Sequence, residues 1–247
     1  ANVCRAFSGD SLLKAVSGAS VVLSHTGTVP LVYVALDGFP ASGTFNVSHT
    51  SGIFSGSGAL SCASPGSVYA WSGSGLWNDP ARWADGAAPA AGGGQSLLVR
   101  FPGASNAAST NNLAGEFLTR RLWASGIGSD GVATLAGNAL VFTNVAPLLS
   151  QTTPGAWHIS APVYARTPLT LDVAGDVTFQ GNALGLVSNA TFYKSGPGTV
   201  TIPSFTNLVA SAVIYEGKVQ TPQIPSSLVA NLFSQAGKTA VLTLTQG

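Results

Sequence analysis

Asp172 and Asp176 are the close acidic pair of the C-terminal part of the chain. On one face of a β structure, two such carboxylates could hold calcium or act on uronate sugars. A lyase or hydrolase groove gathers several acids with Arg or Lys, whereas Ala174-Gly175 sits alone between these two, as between turn residues. His25, His49 and His158 are scattered, with no acid at triad-like or metal-like spacing. Cys4 and Cys62 lie too far apart for a metal knuckle, so a disulfide is their expected use, with two buried free thiols as the alternative. Such a disulfide would stabilise by about 4 kcal/mol in the chain-entropy model. Gly126-Ile127-Gly128-Ser129-Asp130-Gly131 matches a dinucleotide-binding pattern, but the strand-like run Val132-Ala133-Thr134-Leu135 follows it where a helix N-terminus would be needed. Residues 90–94 read as a flexible loop with no Lys-Ser/Thr behind it. The residues therefore predict no catalytic group, no cofactor and no metal.

Binding chemistry offers more. Trp71, Trp77 and Trp83 are close enough in sequence to stack on sugars, or to pack as a plug over the end of a β structure, and the burial of such large rings favours the plug. Arg120-Arg121, ahead of Leu122-Trp123, reads as a solvated edge that discourages strand pairing. Asn46-Val47-Ser48 and Asn189-Ala190-Thr191 are formal glycosylation acceptors.

The elements that must position these residues are β in character. From about residue 113 the candidate strands are 131–135, 139–142, 157–164, 169–173, 177–180, 190–193, 199–202, 212–215 and 240–245, with Gly, Asn or Pro between most neighbours. Turns about every ten residues imply a β-helix, sandwich or barrel. Two helices are expected as exceptions. One follows the cap-like Ser8-Gly9-Asp10-Ser11, with Leu12, Leu13, Ala15 and Val16 as its apolar stripe. The other spans Ser226 to Ala236, with Leu228, Val229, Leu232 and Phe233 at helical spacing. Residues 1–69 read as an N-terminal β-rich cap or small sandwich tied by cysteines, and residues 70–247 as a Trp-rich lead-in and a solenoid.

Within residues 190–220 two β-type runs share one design. Lys194, Gly196, Gly198, Thr199, Val200 and Ile202 form the first, and Val213, Ile214, Gly217 and Val219 the second. They resemble the autotransporter-associated β-strand repeat, whose first strand reads Lys-x-Gly-x-Gly-Thr and whose second closes on Gly. Trp71, Trp77, Trp83, Pro89, Gly92, Leu98, Val99 and Phe101 are similar to the lead-in that often precedes such repeats in surface proteins. The resemblance implies an all-β fold, a right-handed β-helix with an N-terminal cap, and a plug role for the three tryptophans.

Composition narrows the partners. Charged residues are 8% of the 247, against about 25% in ordinary domains. The 10 Lys and Arg against 9 Asp and Glu leave a net charge of +1, which provides no field for nucleic acid or an anionic membrane. No apolar run reaches the roughly 18 residues of a membrane helix. The start at Ala1, in a sequence with no Met, reads as a mature N-terminus left by a removed signal segment, and a disulfide would suit an extracellular or cell-surface location. The expectation is a structural or adhesive surface protein that self-associates, with surface glycans as further partners. The alternative class is a secreted carbohydrate-active β-helix enzyme.

Overall fold

The computed structural model describes residues 12–15, 18–31, 33–36, 39–41, 43–62, 68–103, 105–143, 147–181, 184–186, 190–203, 205–206, 211–222, 229–233 and 237–244. The chain is all-β and divides into two compact units, Ala1–Gly66 and Ser67–Gly247.

The larger unit is a β-solenoid whose coils have three sides. The first face stacks eight strands: Val68–Ala70, Leu98–Phe101, Arg121–Ala124, Leu148–Gln151, Leu169–Val173, Thr191–Ser195, Ser211–Ile214 and Val229–Leu232. The second face also stacks eight: Gly75–Leu76, Ala108–Asn111, Val132–Gly137, Ala156–Ile159, Asp176–Phe179, Thr199–Thr201, Gly217–Thr221 and Ala240–Leu244. The third has five short ones: Phe117–Thr119, Leu140–Phe142, Val163–Ala165, Leu184–Leu186 and Phe205–Thr206. Every pairing within these faces is parallel, so each residue sits above its counterpart one coil earlier, and five of the eight coils carry a strand on all three faces among the described residues.

That stacking sets the sequence pattern. Inward positions of the first face form the column Val99, Leu122, Leu149, Leu171, Lys194, Ile214 and Leu232. Inward positions of the second face include Trp157, Val177, Val200 and Val219, all buried in one continuous core. Burial alternates on second-face strands such as Val132–Gly137 and Ala156–Ile159, where only one side faces that core, whereas Arg121–Ala124 and Leu148–Gln151 of the first face are buried on both sides.

The N-terminal unit repeats the logic on a small scale. Leu12–Ala15, Val21–Leu23 and Thr28–Leu31 make one coil, and they pair in parallel with Tyr33–Leu36, Phe54–Gly56 and Ala59–Cys62 of a second. Between the first two strands of the second coil the chain makes an excursion. Phe39–Ala41 runs antiparallel along Tyr33–Leu36, and Gly43–Phe45 runs antiparallel along Ala59–Cys62. These coils enclose a separate core containing Leu23, Val34, Phe45, Phe54 and Leu60.

Both expected helices are corrected. Leu12–Ala15 is a strand, and so is Val229–Leu232, which lies on Ser211–Ile214 in register. An apolar spacing of three and four fits a helix or an irregular strand, and here each segment pairs along one side with a neighbouring strand. Residues 8–11, 16–17, 226–228 and 234–236 of those two expectations lie outside the described residues. Among the described residues the only helical element is the 3-10 turn Pro80–Arg82, which starts where Asp79 Oδ1 accepts from Ala81 N at 3.0 Å.

Candidate functional site

Where the first face turns into the second, the coils stack corner upon corner. A Cβ added to Gly155 would stand 2.3 Å from Gly128 O, one at Gly175 would stand 2.2 Å from Gly155 O, and one at Gly198 would stand 1.8 Å from Gly175 O. At Gly217 it would meet Gly196 O and Gly198 O, both at 2.4 Å. Backbone therefore packs on backbone down this edge, held by Asp176 N to Gly155 O at 3.1 Å, Thr199 N to Gly175 O at 3.0 Å and Lys218 N to Gly198 O at 3.1 Å. Gly196 and Gly217 also have φ of 78°, a conformation that side chains disfavour.

Lys194 fills the inside of this corner. It takes an aliphatic position in the inward column, between Leu171 and Ile214, and its relative exposure is 0%. Its Nζ donates to Ser195 O at 2.8 Å and Gly196 O at 2.6 Å in its own coil, and to Glu216 O at 3.1 Å in the next. One ammonium thus ties two consecutive corners together. Two coils earlier the buried Gln151 does related work, donating from Nε2 to Gly155 O.

Lys194→Met keeps most of the apolar stem but leaves those three carbonyl oxygens without the ammonium donor. Each unmade bond costs about 1–3 kcal/mol, partly offset by relief of the buried ammonium. The expected net loss is about 2 kcal/mol, read from the midpoint of denaturant unfolding. A gain in stability would show that the three bonds do not repay the ammonium's burial.

Outside this corner lies a groove of about 380 Å³, lined by Pro197, Glu216, Lys218, Lys238, Thr239 and Val241 among others. Lys238 Nζ donates to Glu216 Oε1 at 2.8 Å across it. Nearby, three rings stack in successive coils. Tyr193 and Tyr215 have centroids 6.3 Å apart and nearly parallel planes, and Phe233 follows Tyr215 at 6.0 Å.

The structure does not bring Asp172 and Asp176 together as a catalytic pair. Asp172 is buried on the first face, where Ser195 Oγ donates to its Oδ1 at 3.0 Å, while Asp176 is exposed at the start of a second-face strand. The sequence 126–131 runs into the strand Val132–Gly137. His49 packs between Phe45 and Phe54 and shares a 2.8 Å bond with Ser51 Oγ, His158 lies on the second face, and His25 is half-buried in the small unit. Among the described residues no group of three His, Cys, Asp or Glu could hold a metal ion.

Trp71, Trp77 and Trp83 are all buried and meet edge to face, at 5.0 Å for Trp71 with Trp83 and 5.6 Å for Trp77 with Trp83. Trp77 Nε1 donates to Ser109 Oγ at 2.6 Å and Trp83 Nε1 to Trp77 O at 2.8 Å, so no ring face is open to a sugar. Cys62 is buried and free, and Cys4 lies outside the described residues. Asn46 Oδ1 accepts from Ser48 N at 3.0 Å, and Asn189 lies outside the described residues.

Arg120 and Arg121 correct the reading of a solvated edge, because both are buried, Arg121 to 2% exposure within a paired strand. A guanidinium on a long apolar stem can be covered when its donors are engaged, and both residues have partners within the fold. Neighbouring Arg100 sets its guanidinium 4.5 Å from the Trp123 ring centroid in the next coil. Sequence reasoning also missed the Asn111 and Asn138 pair at another corner. There Asn111 Nδ2 donates to Asn138 O at 3.1 Å and Asn138 Nδ2 to Leu113 O at 2.7 Å.

No family model, curated protein or solved structure matches the chain.

Proposed function

We propose that this chain is a non-enzymatic structural or adhesive protein of a cell surface, and that it associates with copies of itself through its β faces. The observation that carries the reading is the outer side of the second face. Two rows of side chains run along it in strict register. One row is Thr134, His158, Thr178, Thr201, Gln220 and Thr243, and the other is Val132, Ala156, Asp176, Thr199, Lys218 and Val241.

Only Asp176 and Lys218 in these rows are charged acids or amines, in a chain with 8% charged residues overall. Soluble domains ordinarily keep such surfaces apart with charge. A regular, weakly hydrated face of this kind suits packing against another regular surface, whether a second copy or a surface glycan.

Light scattering and electron microscopy of undenatured protein are expected to show dimers or larger assemblies. A monodisperse monomer at high concentration would overturn the self-association reading and leave a single adhesive module.

A further inference from the structure

We infer that two copies of the chain pack second face to second face, with their coil stacks running in opposite directions about a two-fold axis along Thr199–Thr201. The inference rests on the self-association reading above and names the face and the arrangement that perform it.

The three faces do not offer equal surfaces. On the first, outward side chains of the middle coils are themselves covered, and Leu98, Arg121, Trp123, Leu148 and Ser150 are all buried. The third has strands of only two or three residues. On the second, burial alternates, so the outward rows stand clear of the core in coil after coil, with Val132 at 38% exposure. Short side chains at Thr134, Ala156, Thr178, Thr199 and Thr201 give this face low relief. Such a surface suits two sheets packed about 10 Å apart.

The two charges on it select the partner. Asp176 and Lys218 belong to one row, one coil before Thr199 and one coil after it. At about 4.8 Å per coil their backbones stand about 10 Å apart. Among the described residues neither forms an ion pair, although Glu216, which lines the same groove as Lys218, is paired with Lys238. A two-fold axis lying between two facing sheets, parallel to Thr199–Thr201, turns the face over, keeps each position along the strand and reverses the order of the coils. Asp176 of each copy then stands opposite Lys218 of the other, in two ion pairs symmetric about Thr199. Thr178 of each stands opposite Gln220 of the other, so a hydroxyl meets an amide.

An axis along the coil stack would instead hold every coil at its own level and set like charges side by side, which disfavours that arrangement. A neutral glycan would engage neither charge, whereas a second copy satisfies both.

The test is a charge-reversal cycle on the intact chain, read by analytical ultracentrifugation. Asp176→Lys alone and Lys218→Asp alone each put two like-charged pairs across the axis, and each is expected to weaken self-association at least about tenfold. The double variant restores opposite charges and is expected to associate as the parent does. Neither residue packs in the core, so far-ultraviolet circular dichroism and melting temperature should stay unchanged throughout. In a second arm, Thr199→Cys lies on the axis and is expected to give a covalent homodimer with a short bismaleimide, while the parent chain and Ser129→Cys are not. If the parent associates but the single reversals do so equally well, or the double variant fails to recover and Thr199→Cys gives no covalent homodimer, the arrangement is wrong while self-association stands. A parent chain that stays monomeric overturns both.

Discussion

Gly198→Ala is expected to destabilise the solenoid by roughly 3 kcal/mol or more, a larger effect than one methyl group ordinarily has inside a protein. The new Cβ would stand 1.8 Å from the backbone oxygen of Gly175, where ordinary contact begins near 3.4 Å. No side chain can rotate away, because both partners are backbone. The corners would have to part by more than an ångström, and that opens the bonds Gly198 N to Val173 O, Thr199 N to Gly175 O and Lys218 N to Gly198 O. For a chain of this size the melting temperature should fall by about 6–12 °C. Gly181→Ala is the matched control: its φ is 63° and its added Cβ has no atom within 4 Å, so it should cost only the backbone strain of about 1–2 kcal/mol. Equal losses in the two variants would show that the corners are not in contact.

The same sterics explain why the corner is legible in the sequence. Gly196, Gly198 and Gly217 stand at fixed spacings from Lys194 because the first two pack on the preceding coil, Gly217 packs on Gly196 and Gly198, and the ammonium bonds to the carbonyls of Ser195, Gly196 and Glu216 between them. A residue type that geometry dictates survives as a pattern. Strand order is not legible in this way. The third-face strands Leu184–Leu186 and Phe205–Thr206 are too short for any alternation to register. Arg121–Ala124 is hidden by its charge, although its arginine is covered. The strand Val229–Leu232 reads as part of a helix because its partner edge is created by a strand nearly twenty residues earlier, and no local spacing reveals that edge. Residues 39–45 show the same limit. Only the fold reveals that Phe39–Ala41 and Gly43–Phe45 run antiparallel along the coil strands that precede and follow them.

At the opposite end of the larger unit, Trp77→Ala should cost about 3–5 kcal/mol, as expected for emptying a fully buried indole site. The ring touches Trp83 and Phe117 edge to face, at 5.6 and 5.0 Å, and its Nε1 bond to Ser109 Oγ reaches the second strand of the second face. Removal therefore leaves a cavity and also a buried hydroxyl without its donor. Trp77→Phe is the intermediate case. It restores part of the apolar contact but lacks the N–H and the rest of the indole, so it should recover only part of the loss. Local consequences should follow as well. The backbone N–H groups of the Gly75–Leu76 and Ala108–Asn111 strands should exchange with solvent faster in Trp77→Ala, while those of Asp176–Phe179, several coils away, keep their protection, because a solenoid coil contacts mainly its neighbours. Uniform loss of protection along the whole stack would mean that the indoles hold the entire solenoid together rather than closing one end of it.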